Sequence, residues 1–177
     1  MSNFTLNQIM TEYKDLSQNP IASIGVCVGL PDPSNIYLWR CTMIGPGDTS
    51  FAGGLFYLKI EFPKNYPYSG PEVRFVTPIY HVNVNHIAQP GCPLGHICLS
   101  TLNFWNPEYR MREVLTNIFA LFYLGNAESP FGIDRQSEML KTPDLFEEKI
   151  KYFTKKYAAP ELGYKEYDYW DFTYNKF

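Results

Sequence analysis

The chain has 177 residues, 45% of them hydrophobic and 17% aromatic, enough for one domain with a real core and too apolar for a disordered tail. Fifteen Lys and Arg against eighteen Asp and Glu give a net charge of −3, which argues against a strongly basic nucleic-acid binder. No apolar run approaches the roughly 18 residues that span a bilayer, and the polar start MSNFTLNQ does not read as a signal peptide.

The chain opens on a helical period. Leu6, Ile9, Met10, Tyr13 and Leu16 share a face, Thr5-x-x-Gln8 has the form of a capping box, and Ser17, Asn19 and Pro20 mark the end. Period two follows, with Ile24, Val26, Val28 and Leu30 alternating against small residues. The turn Pro31-Asp-Pro-Ser-Asn35 leads to a second strand from Ile36 to Met43. A glycine-rich loop, Gly45 to Gly54, leads to a third strand, Leu55 to Phe62, and a proline-punctuated stretch to a short fourth, Val73 to Val76. Four strand signals with short links predict an antiparallel meander.

From Thr77 to Pro107 the periodicity breaks down, yet the stretch holds all three His, two of the four Cys and one Trp. Long ordered loops in compact domains usually carry function. Val114, Leu115, Ile118, Leu121 and Phe122 then define an amphipathic helix ended by Gly125 and Asn126, and Pro143-Asp144 open another that turns Leu145, Phe146, Ile150 and Phe153 inward. The fold class expected is α+β: an N-terminal helix, a four-stranded antiparallel meander and C-terminal helices. The extension 159–177 has seven aromatics in nineteen residues and a net charge of −2; aromatics are rare in disordered tails, so it is expected to dock, on its own domain in preference to a partner.

Cys98 lies in Gly95-His-Ile-Cys-Leu-Ser100, just outside regular structure, with Tyr80-His-Val-Asn83 upstream. An accessible thiolate is a nucleophile, whereas free Cys is more often simply buried, and the local sequence alone does not separate the two.

An ordered set of signatures does. Gly45-Pro-x-Asp-Thr-x-Phe-x-Gly-Gly54 is followed by Phe62-Pro-x-x-Tyr-Pro67 with Pro71, then by Ile79-Tyr-His81 with Asn83. Gly95-x-Ile-Cys-Leu99, Trp105-x-Pro107 and Thr154-Lys-Lys-Tyr-Ala158 complete the set. In this order they resemble the catalytic domain of the ubiquitin-conjugating enzymes, strongly over about 110 residues and by pattern alone over the first 44. The resemblance implies that Cys98 accepts ubiquitin or a ubiquitin-like modifier as a thioester from an activating enzyme, then passes it to a substrate lysine or a ligase. Asn83 matches the amide credited with stabilising the oxyanion or with shaping the active-site loop, and His81 is expected to organise that loop rather than act as a base.

An acidic residue that the family often uses to prepare the lysine falls at Ser129 here, with Glu128 beside it as a substitute. Ligases are expected to grip Tyr68 and Pro107, with Glu108 restricting which ligases fit. Glu12, Lys14 and Asp15 leave the first helix slightly acidic where the activating enzyme usually meets a basic one, so the modifier stays open.

Three departures stand out. Val82 replaces the motif's proline, Gly70 replaces a common proline with little expected consequence, and fourteen residues separate Asn83 from Cys98 where about seven are usual. The extra segment, about 85–94, must loop out beside the site; gating, modifier contact and mere tolerance all remain open. The implied organisation is a catalytic domain over 1–158 followed by the acidic aromatic extension 159–177.

Rival readings are weaker. His81, His86, Cys92, His96 and Cys98 cluster, but their spacing matches no familiar zinc module, so no metal is expected. A non-catalytic scaffold of the same fold is the alternative, while a papain-like protease would need a separate base and another architecture. Gly45 to Gly54 lacks the ending of a phosphate cradle, and no cofactor is implied because the activating enzyme spends the ATP. Four cysteines without a secretory signal read as reduced thiols in the cytosol or nucleus, and a monomer is the default, with no nucleic-acid or membrane partner.

Overall fold

The computed structural model describes residues 3–174, so the two N-terminal residues and the last three of the extension lie outside it. Period two builds the sheet. β1 (Val26–Gly29), β2 (Leu38–Ile44), β3 (Leu55–Glu61) and β4 (Glu72–Phe75) pair in chain order, each antiparallel to the next. Trp39, Cys41 and Met43 of β2 and Phe56, Leu58 and Ile60 of β3 are fully buried, while the residues between them face the other way. A one-residue slip of the Cys41–Leu58 pairing would turn the three core residues of the slipped strand outward, and burying a side chain such as Leu58 is worth about 1.5–3 kcal/mol, so the pattern sets the register. The first strand is shorter than expected: Ile24 belongs to a 3-10 turn, Ala22–Ile24, that Gly25 closes at φ 65°.

Helices cover the inner face. α1 (Asn3–Gln18) buries Ile9 and Leu16, but Met10, expected on the same face, is 51% exposed. Glu12 is buried instead: its carboxylate accepts from the Tyr66 hydroxyl at 2.8 Å and from the Met111 N–H at 2.7 Å. Met111 opens α3 (Met111–Ala120), which has no capping side chain of its own, so a carboxylate from α1 satisfies an orphan donor there and locks the two helices together. Thr5 lies inside α1, and Gln8 donates to Glu12 at 2.7 Å, so the expected capping box does not form. Asp15 takes the Arg112 guanidinium at 2.9 Å. The acidity read along α1 is therefore largely spent within the fold.

α3 ends at Ala120, earlier than Gly125-Asn126 suggested, and Leu121 and Phe122 are buried in the turn beyond it. α5 (Pro143–Tyr157) turns Phe146, Ile150 and Phe153 inward as expected. The periodicity does not reveal α2 (Ser100–Asn103) or α4 (Ile133–Lys141); the buried residue of α4 is a cation, Arg135.

The extension docks on its own domain. Tyr164 stacks on Arg40 at 3.6 Å, beside Tyr57, and Glu166 reaches Arg74 at 3.7 Å, so the tail crosses the outer sheet face. It then wraps α5: Tyr157 donates its hydroxyl to the Asp171 carbonyl, Trp170 is buried, and Phe172 packs edge-on against Phe153 at 4.8 Å.

Candidate active site

The cysteine segment runs beside the β4 edge of the sheet, held by single bridges. His96 bridges Arg74 of β4, Ile97 bridges Val84, and the Cys98 N–H donates to the Asn83 carbonyl at 2.8 Å. Gly95 makes this approach possible: at φ 78° its N–H reaches Asn85 and its carbonyl takes the Phe75 N–H, and a Cβ there would stand 1.8 Å from the Phe75 oxygen. Residues 85–96 close on themselves as a hairpin. Asn85 pairs with Gly95 and His96 at the base, Gln89 and Cys92 pair at the tip, and the Asn85 amide donates to the carbonyls of Cys92 and Pro93.

Cys98 is half-buried, and the exposed Asn103 amide donates to its Sγ at 3.5 Å. Asn83 is completely buried, and its amide is saturated. Nδ2 donates to the carbonyls of Asn126 and Ser129, each at 2.8 Å, and Oδ1 accepts from the Asn126 N–H at 2.7 Å. An amide has two N–H donors, and both are committed to the 126–129 loop. His81, equally buried, shares Nε2 with the Leu121 carbonyl at 2.9 Å and accepts the Asn83 N–H on Nδ1 at 3.0 Å. The ring is thus neutral, with its proton on Nε2, as burial requires.

A family model described as ubiquitin-conjugating enzyme matches residues 8–154. The chain belongs to that family. "Ubiquitin-conjugating enzyme E2 13" of Arabidopsis thaliana is 32% identical over 162 residues, covering 84% of this chain and 92% of the relative. "Ubiquitin-conjugating enzyme E2 15" of Schizosaccharomyces pombe is 30% identical over 154 residues, covering 79% and 87%.

Within the ubiquitin-conjugating fold, the remaining expected site residues separate into two groups. Ser129 joins the site through its backbone, since its carbonyl accepts from the amide of Asn83, the residue that in turn accepts the Cys98 N–H. Glu128 is exposed next to it, with its N–H turned back onto the Asn126 side chain at 2.9 Å. Tyr68 and Pro107 lie on two exposed loops joined by Trp105, whose indole N–H donates to the Pro67 carbonyl at 2.6 Å. Gly70 matters more than expected: a Cβ there would come within 2.9 Å of the Trp105 ring that joins these loops. Phe4, next to Tyr68, and Phe104 add exposed aromatic surface at the same end, which the motif reading did not include. The histidines diverge. His81 points to Leu121, His86 to Asp134, and His96 to Phe131, and among the described residues no group of three ligands is placed for a metal.

Arg135 ties the far side of the site to the extension. It is buried, stays cationic although burial pulls its pKa down to about 10, and donates to the His81 carbonyl at 3.2 Å. The rings of Tyr80 and Phe172, edge-on to each other, lie 4.2 and 4.6 Å from its guanidinium, so a tail residue lies two contacts from the Asn83 frame. Neither Arg135 nor Asn103 carries a local signal, because each is defined by what the chain brings to it from elsewhere.

Burial lowers the His81 pKa to about 4. An unfolded histidine near 6.5 takes up protons first, so stability is full above about pH 6.5 and falls as pH drops toward 4. His81 alone is expected to remove about 2 kcal/mol of unfolding free energy between about pH 7 and about pH 5, with burial of His86 acting in the same direction. Denaturant titrations at the two pH values check this, and His81→Gln should flatten the slope.

Proposed function

We propose that this protein is an active ubiquitin-conjugating enzyme: Cys98 accepts the C-terminus of ubiquitin, or of a ubiquitin-like modifier, as a thioester from an activating enzyme. It then delivers the acyl group to a substrate lysine or a ligase. The observation that carries the reading is a half-exposed Cys98 thiol held by a backbone bond to Asn83 in the frame of a family defined by this transfer. A thioester is already an activated acyl donor, so no base triad, metal or cofactor is required of this chain.

In this reading Asn83 and His81 hold the active-site loop in shape. Ser129 and Glu128 border the path of the incoming lysine, with Glu128 the available carboxylate. Tyr68 and Pro107 form the ligase-facing end. The catalytic unit is 1–158, the hairpin at 85–94 is an insertion beside the nucleophile, and 159–177 is an accessory extension. A reduced thiol is essential, which suits a protein of the cytosol or nucleus.

Purified protein, ubiquitin, activating enzyme and ATP are expected to yield one adduct of ubiquitin mass that reductant removes, read by intact mass spectrometry. No adduct across the activating enzymes for ubiquitin and its relatives would favour the scaffold instead, with the hairpin as the feature that closed the site.

A further inference from the structure

The geometry points to Asn103 as a catalytic residue of the transfer: its side-chain N–H stabilises the charge that develops on the thioester carbonyl oxygen when an amine attacks. This rests on Cys98 being the carrier. A donor for that oxygen must lie beside the sulfur, have an N–H to give and be open to the incoming acyl group. Asn83 fails the last two tests, because it is fully buried and both of its amide hydrogens are held by Asn126 and Ser129. The His81 ring is occupied by Leu121 and Asn83, and the Cys98 N–H by the Asn83 carbonyl. Asn103 passes all three. It is exposed, its Nδ2 stands 3.5 Å from Cys98 Sγ, and among the described residues no other side chain donates to that sulfur.

The local fold aims it there. α2 starts two residues after Cys98, and its single turn is pinned by Asn103 N–H to the Leu99 carbonyl at 2.9 Å and Phe104 N–H to the Ser100 carbonyl at 2.8 Å. This brings residue 103 back over the sulfur. Once the sulfur is acylated, the carbonyl oxygen stands two bonds from it, beyond the carbonyl carbon, within reach of the same exposed side-chain N–H. The neutral lysine amine attacks the carbonyl carbon, a C–N bond forms, and the carbonyl electron pair moves onto oxygen, where the Asn103 N–H meets it. Collapse restores the carbonyl, breaks the C–S bond and releases Cys98 as thiolate, which regains through water the proton that nitrogen loses.

The test uses the full chain. It is charged with ubiquitin, the activating enzyme is quenched, and release to free lysine is followed over a range of lysine concentrations. At saturating lysine, Asn103→Ala is expected to slow release about tenfold or more. Asn103→Asp should slow it further, because a carboxylate repels the developing charge, and both variants should melt at the wild-type temperature. Release at the wild-type rate in both variants overturns the assignment and leaves Cys98 as the carrier. A defect confined to low lysine also overturns it, since Asn103 would then act in amine binding alone. A wild-type protein that never charges overturns the carrier reading itself.

Discussion

In Cys98→Ser the reductant-labile ubiquitin adduct is expected to disappear completely and to be replaced by a slowly formed adduct that survives reductant; in Cys98→Ala neither should form. A serine hydroxyl is scarcely ionised at neutral pH and attacks poorly, and the oxygen ester it makes is a weaker acyl donor than a thioester, so the modifier stays on. The other thiols supply the controls. Cys41 is buried in the sheet and inaccessible, whereas Cys27 is exposed and Cys92 half-buried in the hairpin. Cys27→Ser and Cys92→Ser should therefore charge as the wild type does. Intact mass before and after reductant reads all four variants, and a labile adduct that persists in Cys98→Ser would move the nucleophile to Cys27 or Cys92.

Asn83→Ala is expected to lose about 3 kcal/mol of unfolding free energy and to slow lysine discharge about 100-fold. Three hydrogen bonds disappear together: two donated to the carbonyls of Asn126 and Ser129, and one accepted from the Asn126 N–H. The released groups lie in a part-buried pocket where their partner is fully enclosed, so much of their desolvation is uncompensated. Freed of that tether, the 126–129 loop shifts beside the cysteine segment, and a displacement of about 1 Å near reacting atoms is enough for the rate effect. Asn83→Asp should not rescue, since a carboxylate can still accept from Asn126 but would face the two carbonyls with oxygen. Chemical denaturation and single-turnover discharge are read on the same preparation. Discharge that slows with stability intact would instead make Asn83 an oxyanion donor and remove its loop-holding role.

The two sets of substitutions probe different depths of the sequence. Cys98 and Asn83 are legible in it because both sit in short contiguous motifs whose order along the chain is informative. The strands are legible for a similar reason: alternation in Trp39–Met43 and Phe56–Ile60 is local, and burial follows it directly. α4 is not, because Ile133 and Leu140 are exposed and its inward-facing residue is Arg135, so no apolar stripe announces it. Met10 and Glu12 exchange their expected places for the same kind of reason. A buried carboxylate is stable there only because Tyr66 and the N-terminus of α3 arrive with donors, 54 and 99 residues further along the chain.

What the sequence determined by itself is thus the α+β order of elements, the family and the position of Cys98 within the motif that resembles the family's active-site segment, all written in local period or in ordered motifs. Only the tertiary structure decided that the Asn83 amide is fully spent on a loop 43 to 46 residues away, that the Asn103 amide donates to the Cys98 sulfur, and that residues 85–96 close as a hairpin pinned by Asn85. It also decided that the tail lies across the sheet and closes over Arg135. Period and propensity report which face of a segment is apolar. They carry no information on which distant donor meets which acceptor, and burial makes those pairings obligatory once the chain has closed.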